Sequence, residues 1–174
     1  MFQYQAPDKD CNCYDNKGHN CFDSKFCSNV QIPSLPLKGP KSFDYILCCI
    51  HKAIEDEANA ADFYRHLLKE APNKLHCEFI QHAYDDEVEH LQIFTKLYCY
   101  YTDNDPKYCI KPVCPPCYKE ALMMALISEL GAVEFYRDVQ LFTMDQVIID
   151  TFYMVMVDEQ THATMFSTLY NTCK

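Results

Sequence analysis

Residues 86–98 read DEVEHLQIFTKLY and residues 158–170 read DEQTHATMFSTLY, one skeleton of Asp, Glu, His, Phe, Leu and Tyr repeated at an offset of 72 residues. The match extends towards the amino end. Aligning 51–98 with 123–170 needs no gap and yields 12 identities in 48 positions. Besides the six in the quoted stretches, these are Ala53/Ala125, Glu57/Glu129, Ala60/Ala132, Phe63/Phe135, Tyr64/Tyr136 and Arg65/Arg137. Chance matches would scatter, whereas these fall largely on acidic, His and aromatic positions. An internal repeat therefore organises the chain.

Each repeat reads as a helical hairpin, which predicts an all-α four-helix bundle. Ser42, just after Pro40, is a fitting N-cap for a first helix over about 42–70. That helix breaks at Ala71-Pro72-Asn73, because Pro cannot continue the hydrogen-bond ladder. The second helix is expected over 74–101 and the third over 118–142. Thr143 with Gln146 resembles a capping box opening the fourth. The linker of about 102–117 contains Pro106, Pro112, Pro115 and Pro116 and reads as extended. Its ~15 residues can reach ~50 Å, against ~40 Å for helices of this length. A long crossover relating the hairpins by a pseudo-twofold axis is thus allowed.

Polar residues interrupt the apolar stripes at matching heights. Glu57 shares a helix face with Ala53, Ala60 and Tyr64, and Glu129 with Ala125, Ala132 and Tyr136. Glu87 and His90 stand among Phe79, Ala83, Phe94 and Leu97. Glu159 and His162 stand among Phe152, Val155, Phe166 and Leu169. Four carboxylates and two imidazoles are thereby aimed at one core. Burying even one unpaired carboxylate costs several kcal/mol or forces its protonation. Two divalent cations would cancel four Glu charges. One Glu on each of two helices, with Glu-x-x-His on the other two, is the carboxylate-bridged di-metal pattern.

Composition narrows the partners. The formal charge of −10, from 25 acidic and 15 basic residues, repels phosphate backbones and anionic lipid. No nucleic-acid or membrane partner is expected, and no apolar run approaches the about 18 residues of a membrane span. Residues 1–10 lack the basic-then-apolar pattern of a secretory signal, so cytoplasmic synthesis is expected. Residues 1–41 carry Cys11, Cys13, Cys21 and Cys27 between prolines, glycines and polar residues, and read as an extended Cys-rich arm. The bundle would occupy 42–174. The arm cysteines, with His19, admit a zinc or iron site or disulfides within or between chains. Cys48, Cys49, Cys77 and Cys99 read as small buried hydrophobes. Twelve cysteines and 13 tyrosines would also suit a cross-linked shell such as a spore coat.

Over about residues 42–172 these motifs resemble the ferritin-like superfamily, and more narrowly its rubrerythrin-type domains. The resemblance rests on Glu57-x6-Tyr64 with Glu87-x-x-His90, and Glu129-x6-Tyr136 with Glu159-x-x-His162. It implies two iron ions, with manganese as the other occupant the same donors accept. It implies Glu57 and Glu129 as terminal ligands, Glu87 and Glu159 as bridges, and His90 and His162 as ligands of one ion each. Tyr64 and Tyr136 would hydrogen-bond behind the ligands, in support of catalysis, or simply fill the core. Asp86 and Asp158 either orient the histidines across the bundle or are solvated charges. Arg65 and Arg137 are expected to pair with Asp62 and Glu134. The chain departs from the family at Ala132, where rubrerythrins generally carry another Glu. It also lacks the two Cys-x-x-Cys pairs of a rubredoxin-like module, Cys114-x-x-Cys117 standing alone.

The implied activity is redox: peroxide or oxygen as the small substrate, an external electron donor, and a homo-oligomer, a dimer, as the assembly. Ala53, Ala60, Ala125 and Ala132 flank the ligands and leave space for a small oxidant. The competing readings are iron oxidation for storage, a dimanganese catalase, and a structural protein whose metal staples the bundle.

Overall fold

The computed structural model describes residues 38–173, and the expected Cys-rich arm lies outside them except for its last four residues. The described chain is all-helical, without a strand: α1 Phe43–Leu67, α2 Lys74–Thr102, α3 Tyr118–Phe142 and α4 Gln146–Thr172, with a 3₁₀ turn at Leu68–Glu70. No helix among these residues is long and apolar enough to cross a membrane.

Local chemistry sets the helix ends. Ser42 Oγ accepts from the Tyr45 N–H, and Asn73 Oδ1 accepts from the His76 N–H just after the Pro72 break. α2 stops at Asp103, whose φ of 53° is the left-handed conformation that Asp tolerates, and whose N–H donates back to the Cys99 carbonyl. The capping box expected at Thr143 and Gln146 does not form. Asp145 caps α4 instead, its Oδ1 accepting from the N–H groups of Val147 and Ile148, while Thr143 Oγ1 accepts from the Asp145 N–H. The nearer carboxylate reaches two orphan donors at once and so takes the position.

α1 packs chiefly on α2 and α3 on α4, while α2 also meets α4 and α1 meets α3. Ring contacts show the directions. Phe43 at the start of α1 meets Tyr101 at the end of α2, and Tyr45 meets Phe142 at the end of α3. At the opposite end, His76 bonds Tyr118 and Thr172, joining the starts of α2 and α3 to the end of α4. α2 and α3 therefore run in the same direction, and the segment between them must travel the length of the bundle. It does so beside α1: His51 Nε2 donates to the Lys107 carbonyl, and the Lys111 N–H donates to Asn59 Oδ1.

The apolar core falls into two clusters. One gathers Ile50, Ile54, Phe94, Tyr136, Ile148 and Phe152; the other gathers Tyr64, Leu67, Ile80, Leu122, Phe166 and Leu169. Between them lies a polar layer. Of the four helical cysteines expected to be buried, only Cys49 is; Cys77 and Cys99 are half-buried and Cys48 is exposed. At about 100° per residue Cys48 falls on the side of α1 opposite the buried stripe of Ile46, Ile50, Ala53 and Glu57, whereas Cys49 lies at the edge of that stripe.

Candidate metal centre

Glu57 on α1, Glu87 and His90 on α2, Glu129 on α3, and Glu159 and His162 on α4 meet in that polar layer, none more than 2 % exposed. Their donor atoms sort into two sets. Glu57, Glu87, His90 and Glu159 form one, and Glu129, Glu87, Glu159 and His162 the other, each with its atoms within 4.8 Å of one another. Glu87 and Glu159 belong to both. A shell of donors around one ion, with bonds of ~2.0–2.2 Å, has a comparable span, so each set lies on the scale of a single coordination sphere.

Both imidazoles turn Nδ1 inward. His90 Nδ1 lies 3.2 Å from Glu159 and 3.6 Å from Glu57. His162 Nδ1 lies 3.2 Å from Glu159 and 3.4 Å from Glu87. The outward nitrogens are held across the bundle: His162 Nε2 by Asp86 of α2 at 3.0 Å, and His90 Nε2 by Asp158 of α4 at 3.3 Å. Sequence left Asp86 and Asp158 between two roles; the geometry makes them imidazole partners. The tyrosines cross in the same reciprocal way. Tyr64 of α1 donates to Glu129 of α3, and Tyr136 of α3 donates to Glu57 of α1. Arg65 pairs with Asp62 at 2.5 Å.

The electrostatics are those of a cluster short of positive charge. Burial, then the charges of Glu57 and Glu159, push the Glu87 carboxyl well above its usual range. Burial and Glu159 do the same to Glu129, against the Tyr64 hydrogen bond. Burial opposes the charge on Glu159 too, yet its polar contacts with Glu129, His162 and His90 outweigh it and pull Glu159 below the carboxylate range. Burial would lower His90, but Glu159 and Glu57 prevail and raise it to about 10. His162 is raised against burial, by Glu159 and Asp86. Burial first, then the neighbouring carboxylates, hold the Tyr64 and Tyr136 hydroxyls well above their ordinary value, so both stay protonated donors.

The residues fit a pair of cations. Glu87 Oε1, Glu159 Oε1 and His90 Nδ1 are buried without a well-formed hydrogen bond, although His90 Nδ1 faces Glu159 Oε1 at 3.2 Å and Glu87 Oε1 faces His162 Nδ1 at 3.4 Å. That is a costly state for polar atoms unless protons or cations engage them. Oxygen and imidazole donors suit iron, manganese or zinc. A cavity of about 470 Å³ opens between α1 and α3, lined in part by Ala60, Tyr64, Ala125, Gly131 and Ala132. Ala53, expected to share that role, is fully buried away from it. His82 escaped the sequence reading. It lies 3.3 Å from Asp86 on the solvent side, and the only signal was its spacing of four residues from that Asp.

Comparison of the chain with models of known protein families, with curated proteins and with solved structures gave no match. Fold and site together define a helical bundle with a buried Glu/His cluster able to hold metal.

Proposed function

We propose that this chain is a di-metal carboxylate redox protein of the ferritin-like, rubrerythrin type, built from two repeated hairpins and reacting with peroxide or oxygen. The carrying observation is that Glu87 and Glu159 belong to both donor sets, as bridging carboxylates must. Iron is the proposed occupant, with manganese as the other. When bound, the ions supply Lewis acidity and two electrons for reduction of one peroxide to water.

The chain's own residues hold the surroundings ready. Glu57 with His90 would hold one ion of the pair at its outer side, and Glu129 with His162 would hold the other. Asp86 and Asp158 fix the outward N–H of each imidazole and so keep Nδ1 free to ligate. Tyr64 and Tyr136 fix Glu129 and Glu57. The small side chains of Ala60, Gly131 and Ala132 leave an approach between α1 and α3. The chain has no rubredoxin-like spacing of cysteines, so the electrons come from an external donor.

The test begins with iron counts. The wild-type chain should hold two ions in the bundle site, and Glu87→Ala/Glu159→Ala should lose most of both. The reduced protein, given limiting peroxide without air, should consume about one peroxide per site and then stall until a reductant is added. Sustained oxygen release without reductant would turn the reading to catalase chemistry. Uptake of many irons per chain would turn it to storage. A loaded site indifferent to peroxide would leave only a structural staple.

A further inference from the structure

A second group of donor atoms stands at the surface beside the inner six. His82 and Asp86 lie one turn apart on α2, with His82 Nε2 3.3 Å from Asp86 Oδ2. The same oxygen is 3.0 Å from Nε2 of His162 on α4. The His82 and His162 rings meet edge to face, 6.1 Å between centroids. One donor atom from each of the three residues falls within 4.8 Å of the other two. Around a four-coordinate ion with bonds of ~2.0–2.1 Å, neighbouring donors stand about 3.3 Å apart. Two separations near that value and a third within reach suit a single cation. The His82 side chain is 52 % exposed and that of Asp86 27 %, which leaves the outward side open to a water ligand.

The repeat supplies an internal comparison. Asp158 and His90 reproduce the Asp86–His162 pair, yet the residue four before Asp158 is Met154 rather than His. An Asp alone suffices to orient an imidazole. A second imidazole on the same carboxylate oxygen adds nothing to that task, but it completes a His–Asp–His donor set.

We propose that His82, Asp86 and His162 form an outer site for one divalent transition-metal cation, captured from solvent beside the inner pair. The outer ion binds His162 through Nε2, the nitrogen that faces away from the inner cluster. The proton on that nitrogen leaves to solvent as the bond forms. Cations on both nitrogens of one ring repel, so the outer site is weaker once the inner pair is loaded, as suits a point of capture. The outer site exists whether or not the inner one is filled.

The test counts zinc bound by the full chain after chelator treatment and dialysis against saturating Zn2+. Wild type should bind one more ion than His82→Ala, and Met154→His one more than wild type, with the cysteines common to all three. Both positions are exposed, and circular dichroism checks that each variant remains helical. Equal counts in wild type and His82→Ala, or in wild type and Met154→His, overturn the outer site. A Glu87→Ala/Glu159→Ala background separates it from the inner assignment. That protein should lose the inner ions and still lose one more when His82→Ala is added. If the double variant keeps all its zinc, the inner assignment fails while the His82-dependent ion stands.

Discussion

Tyr64 and Tyr136 each donate their single O–H to a carboxylate on the other helix of the α1–α3 pair, so neither ring is mere filling. Tyr136→Phe keeps the ring against Phe94 and Phe152 and removes only the donor. A hydrogen bond to a charged group is worth about 1.5–3 kcal/mol, so metal affinity should fall roughly 10–100-fold. Chelator competition measures it, and unchanged affinity would make Tyr136 a packing residue. His76 is the other informative single residue. It is buried between Tyr118 and Thr172, and burial lowers its imidazole below the usual 6.5. A lowered His is neutral in the folded chain while the unfolded chain takes up the proton, so its contribution is present above 6.5 and is lost as pH falls through the folded value. The Tm advantage of wild type over His76→Gln should therefore shrink between pH 7.5 and 5. An advantage that grows on acidification would reverse the assignment.

Among the helices, α4 depends on a cap the sequence pattern misassigned. Asp145 satisfies two backbone donors, and its carboxylate also faces the positive end of the helix dipole. Asp145→Ala should cost about 1 kcal/mol, a fall of about 3 °C in Tm for a domain of this size. Thr143→Ala should cost less, since Thr143 accepts only from the Asp145 N–H. Thermal melts of the two variants side by side decide between the caps, and a larger loss at Thr143 would restore the capping box.

For the molecule as a whole, the polar layer between two apolar clusters is the costliest part of the fold. Four carboxyls and two imidazoles sit where apolar side chains would pack without penalty. The upward shifts of Glu87, Glu129 and both histidines favour uptake of protons, which offsets part of that cost. Bound cations would relieve it further. An ion held at a thousand times its Kd adds about 4 kcal/mol of stability, so removing metal should lower the melting temperature by many degrees. Equal Tm with and without metal would show that the cluster is no metal site.

The sequence by itself determined the helices and the inward residues, because both follow from local periodicity. Pro72 and Asn73 end and begin helices through backbone chemistry alone, and Glu57 and Glu129 share faces with alanines and tyrosines whatever the neighbours are. Glu87 and His90, three apart on one helix, have to face the same way. Relations between helices were not legible in this manner. Whether Asp86 meets His162 or water, and whether Tyr64 reaches Glu129, depends on the axial shift and rotation of one helix against another. The same holds for His82, which gains a meaning only when His162 arrives from α4. Those offsets are set by how the whole set of side chains packs, and packing is not written in any one segment.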